Sequence, residues 1–170
     1  MKTLTGRRWL LPSLGIALAL VAALATYAFA AASAPRPMGG NIALFGGPNG
    51  AMCGGDGLLI ALEGDGTMTH LGKTTITATN CNFGDLTVES ADIADGQATY
   101  TAADGSTIVT SYTGSNMQAG ADGASQFTTA HVVVSGTGRF AGASGEWTIS
   151  GTVNIFTGEL LGGVEGWIRY

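Results

Sequence analysis

Along most of the chain, apolar residues return at every second position, in short runs rich in Thr, Val, Ile and aromatic residues separated by glycine-containing turns. A period of two marks strands with one face buried, and no 3.6-residue apolar period is sustained after the N-terminal region. The pattern predicts strands over 58–63, 67–71, 74–79, 86–92, 97–102, 107–113, 127–135, 147–153 and 160–170. Asp-Gly pairs at Asp56-Gly57, Asp65-Gly66, Asp95-Gly96, Asp104-Gly105 and Asp122-Gly123 punctuate them, and glycine supplies the positive φ that tight hairpin turns need. In the late strands Phe127, Thr129, His131 and Val133, then Trp147, Ile149, Gly151 and Val153, share one face. Eight or nine sequential strands form a meander with two exposed edges, and closure on itself removes both. The expected fold is therefore all-β: an eight-stranded antiparallel, up-and-down, calycin-like barrel preceded by a signal-peptide helix. A β-sandwich shares the same alternation.

The N-terminal region breaks the pattern. Lys2, Arg7 and Arg8 precede an apolar run rich in Leu and Ala, and small residues follow, which is the layout of a secretory signal peptide over residues 1–32. The small-residue rule is met for a cut after Ala30 or Ala32, and the Arg7-Arg8 pair also fits a twin-arginine export signal. No Cys lies near the end of the run to accept a lipid, and no later stretch reaches the roughly 20 apolar residues that span a bilayer. The mature chain is expected to be soluble, secreted or periplasmic, and off the membrane. Residues 33–56, rich in Gly, Pro and Asn, read as a loose lead-in with one short strand around Ile42–Phe45, and residues 57–170 as the barrel domain.

Charge narrows the partners. All twelve carboxylates lie after residue 32, against Arg36, Lys73, Arg139 and Arg169, so the mature net charge is −8. Such a surface repels nucleic acid and anionic lipid. The two cysteines, Cys53 and Cys81, lack an adjacent His or second Cys, and in an oxidising compartment a disulfide between them is the expected state.

Motifs with chemistry are near misses. The run Val133-Val-Ser-Gly-Thr-Gly-Arg-Phe-Ala-Gly142 contains Gly-x-Gly-x-x-Ala after a strand, but the glycines and strand alternation that follow leave no helix to meet a pyrophosphate. Gly66-Thr-Met-Thr-His-Leu-Gly-Lys-Thr74 has five residues between its glycines where a phosphate-cradling loop has four, and it reads as a hairpin turn. Asp56 and Asp65, like Asp95 and Asp104, are nine residues apart without the repeated Gly-Gly-x-Gly-x-Asp of calcium-binding β-rolls. His70 and His131 have no second ligand at metal spacing and read as hydrogen-bonded strand residues. Gly-x-Ser-x-Gly is absent. No cofactor and no metal are expected. A carboxylate pair meeting inside the barrel for acid–base work stays open.

The C-terminal half does carry a family likeness. The segment Val133–Gly145, the strand at 146–153, the turn at Thr157-Gly158 and the closing Gly163-Val-Glu-Gly-Trp-Ile168 resemble the allene oxide cyclase and dirigent type of barrel, in which a glycine-rich loop crosses between two long strands. The likeness covers about 100 residues if 103–114 is included as the preceding strand. The 66–73 segment with Cys81 is similar to uncharacterised secreted bacterial relatives of that barrel. The resemblance implies an eight-stranded barrel and an exported bacterial protein. Plant members cyclise an unsaturated epoxide or guide phenolic radical coupling, with polar barrel-interior residues that do not align here residue by residue.

The function expected is non-catalytic binding of a small apolar or aromatic molecule, or of a surface partner, through the barrel interior or one mouth. Tyr112, His131 and Trp147 are the candidate ligand-binding residues, because each combines ring surface with a polar handle. An isomerase or coupling-guiding protein is the first alternative, and a structural envelope protein the second. A barrel of this size either holds one small ligand or is filled by its own side chains.

Overall fold

The computed structural model describes residues 34–170; the signal-peptide reading falls on residues outside that range. Eight antiparallel strands, β1 (Arg36–Met52), β2 (Leu58–Met68), β3 (Gly72–Phe83), β4 (Ala91–Ala102), β5 (Thr107–Asn116), β6 (Ala124–Gly136), β7 (Ser144–Asn154) and β8 (Glu159–Arg169), follow one another around a closed barrel. Closure is made by β1, which pairs with β8 from Arg36↔Ile168 to Phe45↔Glu159 and with β2 from Gly40↔Met68 onward. Among the described strands no edge is left to pair with another chain.

Alternation decides which side faces in. On β3 Thr74, Ile76, Ala78 and Asn80 are buried while Lys73, Thr75, Thr77 and Thr79 are exposed; on β6 Ser125, Phe127, Thr129 and His131 point in; on β7 Trp147 and Ile149 do. The outward positions are largely Thr, Ser and charged residues, so the apolar side of this barrel is its inside. The expected inward face of β6 and β7 is the observed one.

Several sequence expectations are corrected. Residues 33–56 are not a loose lead-in: most of them form β1, and the barrel begins at Arg36 rather than 57. Two of their glycines mark close backbone approach rather than turns, since a Cβ at Gly40 would run into the Thr67 carbonyl and one at Gly46 into the Ala61 carbonyl, both of β2. The strands expected over 58–63 and 67–71 merge into one, β2, which ends at Met68 and has Asp65-Gly66 inside it. The strand expected over 86–92 is largely a turn, held by Asp85, whose carboxylate accepts from the Thr87 backbone N–H (2.9 Å) and hydroxyl (2.6 Å). Asp95-Gly96 is a bulge within β4: the register against β5 shifts between Ile93 and Gly96, and Asp95 takes a left-handed φ of 52°. The extra residue switches parity, so Ala91 and Ile93 point inward before it and Ala98, Tyr100 and Ala102 after it. His70 is not a strand residue but sits in the β2–β3 turn at φ 71°, its Nε2 3.0 Å from the Pro37 carbonyl.

The glycine-rich run after β6 is a three-residue 3₁₀ turn, Gly138–Phe140, that drops Phe140 into the core and leads into β7. Cys53 and Cys81 form a disulfide, joining the β1–β2 loop to the end of β3. The bridge fits an oxidising, extracytoplasmic compartment. Among the described residues no helix is long and apolar enough to cross a membrane.

Candidate functional site

An up-and-down barrel sends alternate loops to opposite ends, and here the two ends differ. The β2–β3, β4–β5 and β6–β7 connections share one end with Arg36 and Tyr170. That end is plugged by Met38, Met68, Leu71, Ile108, Phe140 and Ile168, each at most 2% exposed. Arg139 straps it from outside: its guanidinium bonds Asp104 (2.6 Å) and the carbonyls of His70 (3.0 Å) and Leu71 (3.4 Å), and lies 4.8 Å from the Phe140 ring centroid.

The opposite end opens onto a cavity of about 620 Å³, within the range that takes a small-molecule ligand. Its walls are apolar, with Ile42, Leu44, Ile60, Leu62, Ile76, Phe127, Ile149 and Leu160 among them. Tyr100, Tyr112, Thr129 and His131 line its polar interior, and Asn80, Asn82 and Asn116 stand nearer the mouth. The disulfide and the four loops at residues 53–57, 84–90, 117–123 and 155–158 form the rim.

The ring cluster follows from register. Tyr112 on β5 pairs directly with His131 on β6, and His131 with Trp147 on β7. Direct cross-strand partners on one face stand close enough for their side chains to stack. Tyr112 and His131 stack at 4.4 Å between centroids, and His131 lies nearly parallel to Trp147 at 6.1 Å. The row ends in glycine on both sides: Gly96 of β4 pairs with Tyr112, and Gly166 of β8 with Trp147. A Cβ at Gly96 would sit 2.5–2.6 Å from the Tyr112 ring. Gly96→Ala is therefore expected to lower stability by about 1–3 kcal/mol, the range of core overpacking, whereas Gly54→Ala, with open space around it, stays within about 0.5 kcal/mol. Equal urea midpoints for the two variants would contradict this packing.

Hydrogen bonding then fixes the chemistry. His131 Nδ1 lies 3.2 Å from the Tyr100 hydroxyl and 3.1 Å from Thr110 Oγ1, and Nε2 lies 3.0 Å from Thr129 Oγ1. Both ring nitrogens are engaged, and burial pushes the imidazole down to about 3. Burial likewise pushes the Tyr100 and Tyr112 phenols well above their ordinary value. Tyr112 donates toward the Asn80 side-chain oxygen (3.0 Å), with the Thr79 carbonyl at 3.2 Å, and Asn80 donates to Asn82 at 2.6 Å. At neutral pH the three groups are uncharged, with Tyr100 bonded to His131 and Tyr112 to Asn80. The two carboxylates that line the cavity, Asp56 and Asp85, are exposed at the mouth.

No family model, curated protein or solved structure matches the chain.

Of the three residues expected from sequence, Tyr112 and His131 line the cavity, and Trp147 stands behind His131 as its packing partner without lining it. The indole Nε1 of Trp147 is buried with no hydrogen-bond partner among the described residues. Tyr100, Asn80, Asn82 and Asn116 are missed by sequence reading. Tyr100 becomes legible only once the Asp95 bulge resets the parity of β4. Asn80 and Asn82 carried a usable signal: polar side chains two apart continue the inward phase of Thr74, Ile76 and Ala78, where an ordinary core has apolar residues.

Proposed function

We propose that this is an exported binding protein whose barrel holds one small, largely apolar molecule, entering through the open mouth and resting against Tyr112 and His131. The observation that carries the reading is the 620 Å³ cavity, closed below and open above, with apolar walls and a few polar groups at its base. A barrel built as an envelope filler would pack that space with side chains, as the plugged end does. An isomerase or radical-coupling role would need a reactive group among the rings, and the cavity's carboxylates stand at the mouth instead. Kinship with the allene oxide cyclase and dirigent type of barrel belongs to the same proposal, supported by the eight-stranded meander and the glycine-rich crossing after β6. Export is supported by the basic-then-apolar N-terminal sequence and the disulfide.

The test is binding of the neutral fluorescent probe Nile red to the purified protein, followed by its emission shift. One probe per chain is expected. Ala78→Phe places a ring on the cavity wall and should weaken binding about tenfold, or roughly 1.4 kcal/mol, with the circular dichroism of the barrel retained. Absence of saturable binding by the wild type would remove the reading.

A further inference from the structure

We infer that the cavity selects an amphiphilic cation, an apolar body carrying a protonated amine or quaternary ammonium group that stays at the mouth. The inference rests on the binding reading above and adds the charge of the ligand. Its basis is the distribution of charge between the two ends. The rim loops carry Asp56, Asp85, Glu89 and Asp122, and within residues 53–57, 84–90, 117–123 and 155–158 there is no Lys, Arg or His. All four Lys and Arg residues of the described chain stand at the opposite end: Arg36 at the start of β1, Lys73 at the start of β3, Arg139 in the β6–β7 crossing and Arg169 at the end of β8. The barrel is thus polarised along its axis, with the negative end at the opening. A low-dielectric opening ringed by one sign of charge concentrates the opposite sign.

The cavity itself contributes the second part. Among the described residues no Lys or Arg lines it, so a carboxylate or phosphate carried inward would have no counter-charge, and leaving an ion unpaired in an apolar interior is costly. Asn116 lines the cavity at 5% exposure, and no hydrogen bond of its side-chain amide is formed within the described protein. It is a free polar handle between the apolar walls and the acidic rim. Asp85 is held ionised by the hydrogen bonds from Thr87. Met52, Val88, Met117 and Phe156 are each at least 60% exposed around the same opening, an apolar collar suited to the part of an alkyl or aromatic body next to a charged head.

The experiment compares three decyl probes of equal chain length below their micellar concentrations: decyltrimethylammonium, decanol and decanoate. Each displaces Nile red near neutral pH, in about 20 mM and about 500 mM salt, conditions that differ several-fold in screening length. The ammonium is expected to bind about tenfold or more tighter than decanoate, with decanol between them. Salt should compress that order. In the Asp56→Asn/Asp85→Asn double variant, whose amide oxygen at position 85 can still accept from Thr87, the ammonium-to-decanoate ratio should fall several-fold. Decanoate binding as tightly as the ammonium, or a ratio untouched by both salt and the double variant, overturns the inference and leaves the binding reading standing. Failure of Nile red and of all three probes to bind overturns both.

Discussion

Acidification below pH 6.5 is expected to destabilise the barrel through His131. In the folded chain the imidazole is held down to about 3 by burial, against 6.5 when exposed. Between those values the unfolded chain binds a proton that the native chain refuses, so stability is fully present above 6.5 and falls as the pH drops toward 3. At about 1.4 kcal/mol per unit of pKa difference, the loss is of the order of a few kcal/mol at the acid end. The groups packed around the ring, Tyr100 from β4, Thr110 and Tyr112 from β5, Thr129 from β6 and Trp147 from β7, include no carboxylate that could stabilise the imidazolium. Urea unfolding of wild type and His131→Gln across pH 4 to 7 measures the effect. The variant should be less stable at neutral pH and show the shallower pH slope. Proton NMR gives an independent reading, in which the His131 ring resonance should not titrate above about pH 4. Parallel slopes for the two proteins, or a His131 titration near 6.5, would contradict the site as described.

Loss of the disulfide is the second large effect. The Cys53–Cys81 bridge closes a loop with a sequence separation of 28 residues, and on the chain-entropy model its removal costs roughly 3 to 4 kcal/mol. For a domain of this size that corresponds to a fall of roughly 10 °C in Tm. The double variant Cys53→Ser/Cys81→Ser is expected to fold with its plugged end unchanged and its mouth loosened. The β1–β2 loop is otherwise tied by few bonds, among them Cys53 N–H to the Gly57 carbonyl at 2.8 Å. Amide exchange should rise at residues 53–58 and 79–83, and stay low at the plugged end around Ile108 and Ile168. Indistinguishable melting of the oxidised wild type and the double variant would show that the bridge contributes nothing to stability.

The parts of the fold that were legible in the sequence are those where local pattern and tertiary demand agree. In β6 and β7, alternation runs unbroken through Phe127, Thr129 and His131 and through Trp147 and Ile149, and both the strands and their buried face are as read. The cysteine pair was legible because a disulfide is the expected state of two cysteines in a chain read as extracytoplasmic, and Cys53 and Cys81 are bonded. β1 was hidden because two of its glycines, Gly40 and Gly46, obey a non-local constraint. Gly46 exists for the Ala61 backbone across the ladder, which no window of sequence contains. Asp95-Gly96 misled because the same dipeptide serves a turn or a bulge, and the choice depends on how long β5 is opposite. Tyr112 and His131 were found by residue type, but their adjacency is a matter of register between β5 and β6, which shifts at Val109/Thr110. Tyr100 and Asn116 joined the site through the bulge of β4 and through the unfilled space at the mouth, neither of which is written locally.

The meeting of β1 and β8 also settles how this molecule can be held. Arg36 pairs with Ile168, and its guanidinium reaches the Tyr170 hydroxyl at 3.2 Å, so both termini of the barrel leave from the base of the cup. A tether attached ahead of Arg36 or after Tyr170, whether a surface anchor, a neighbouring domain or a purification tag, would hang from the foot and keep the lip facing outward. The four loops of the lip lie at the other end of the barrel from both of these chain ends.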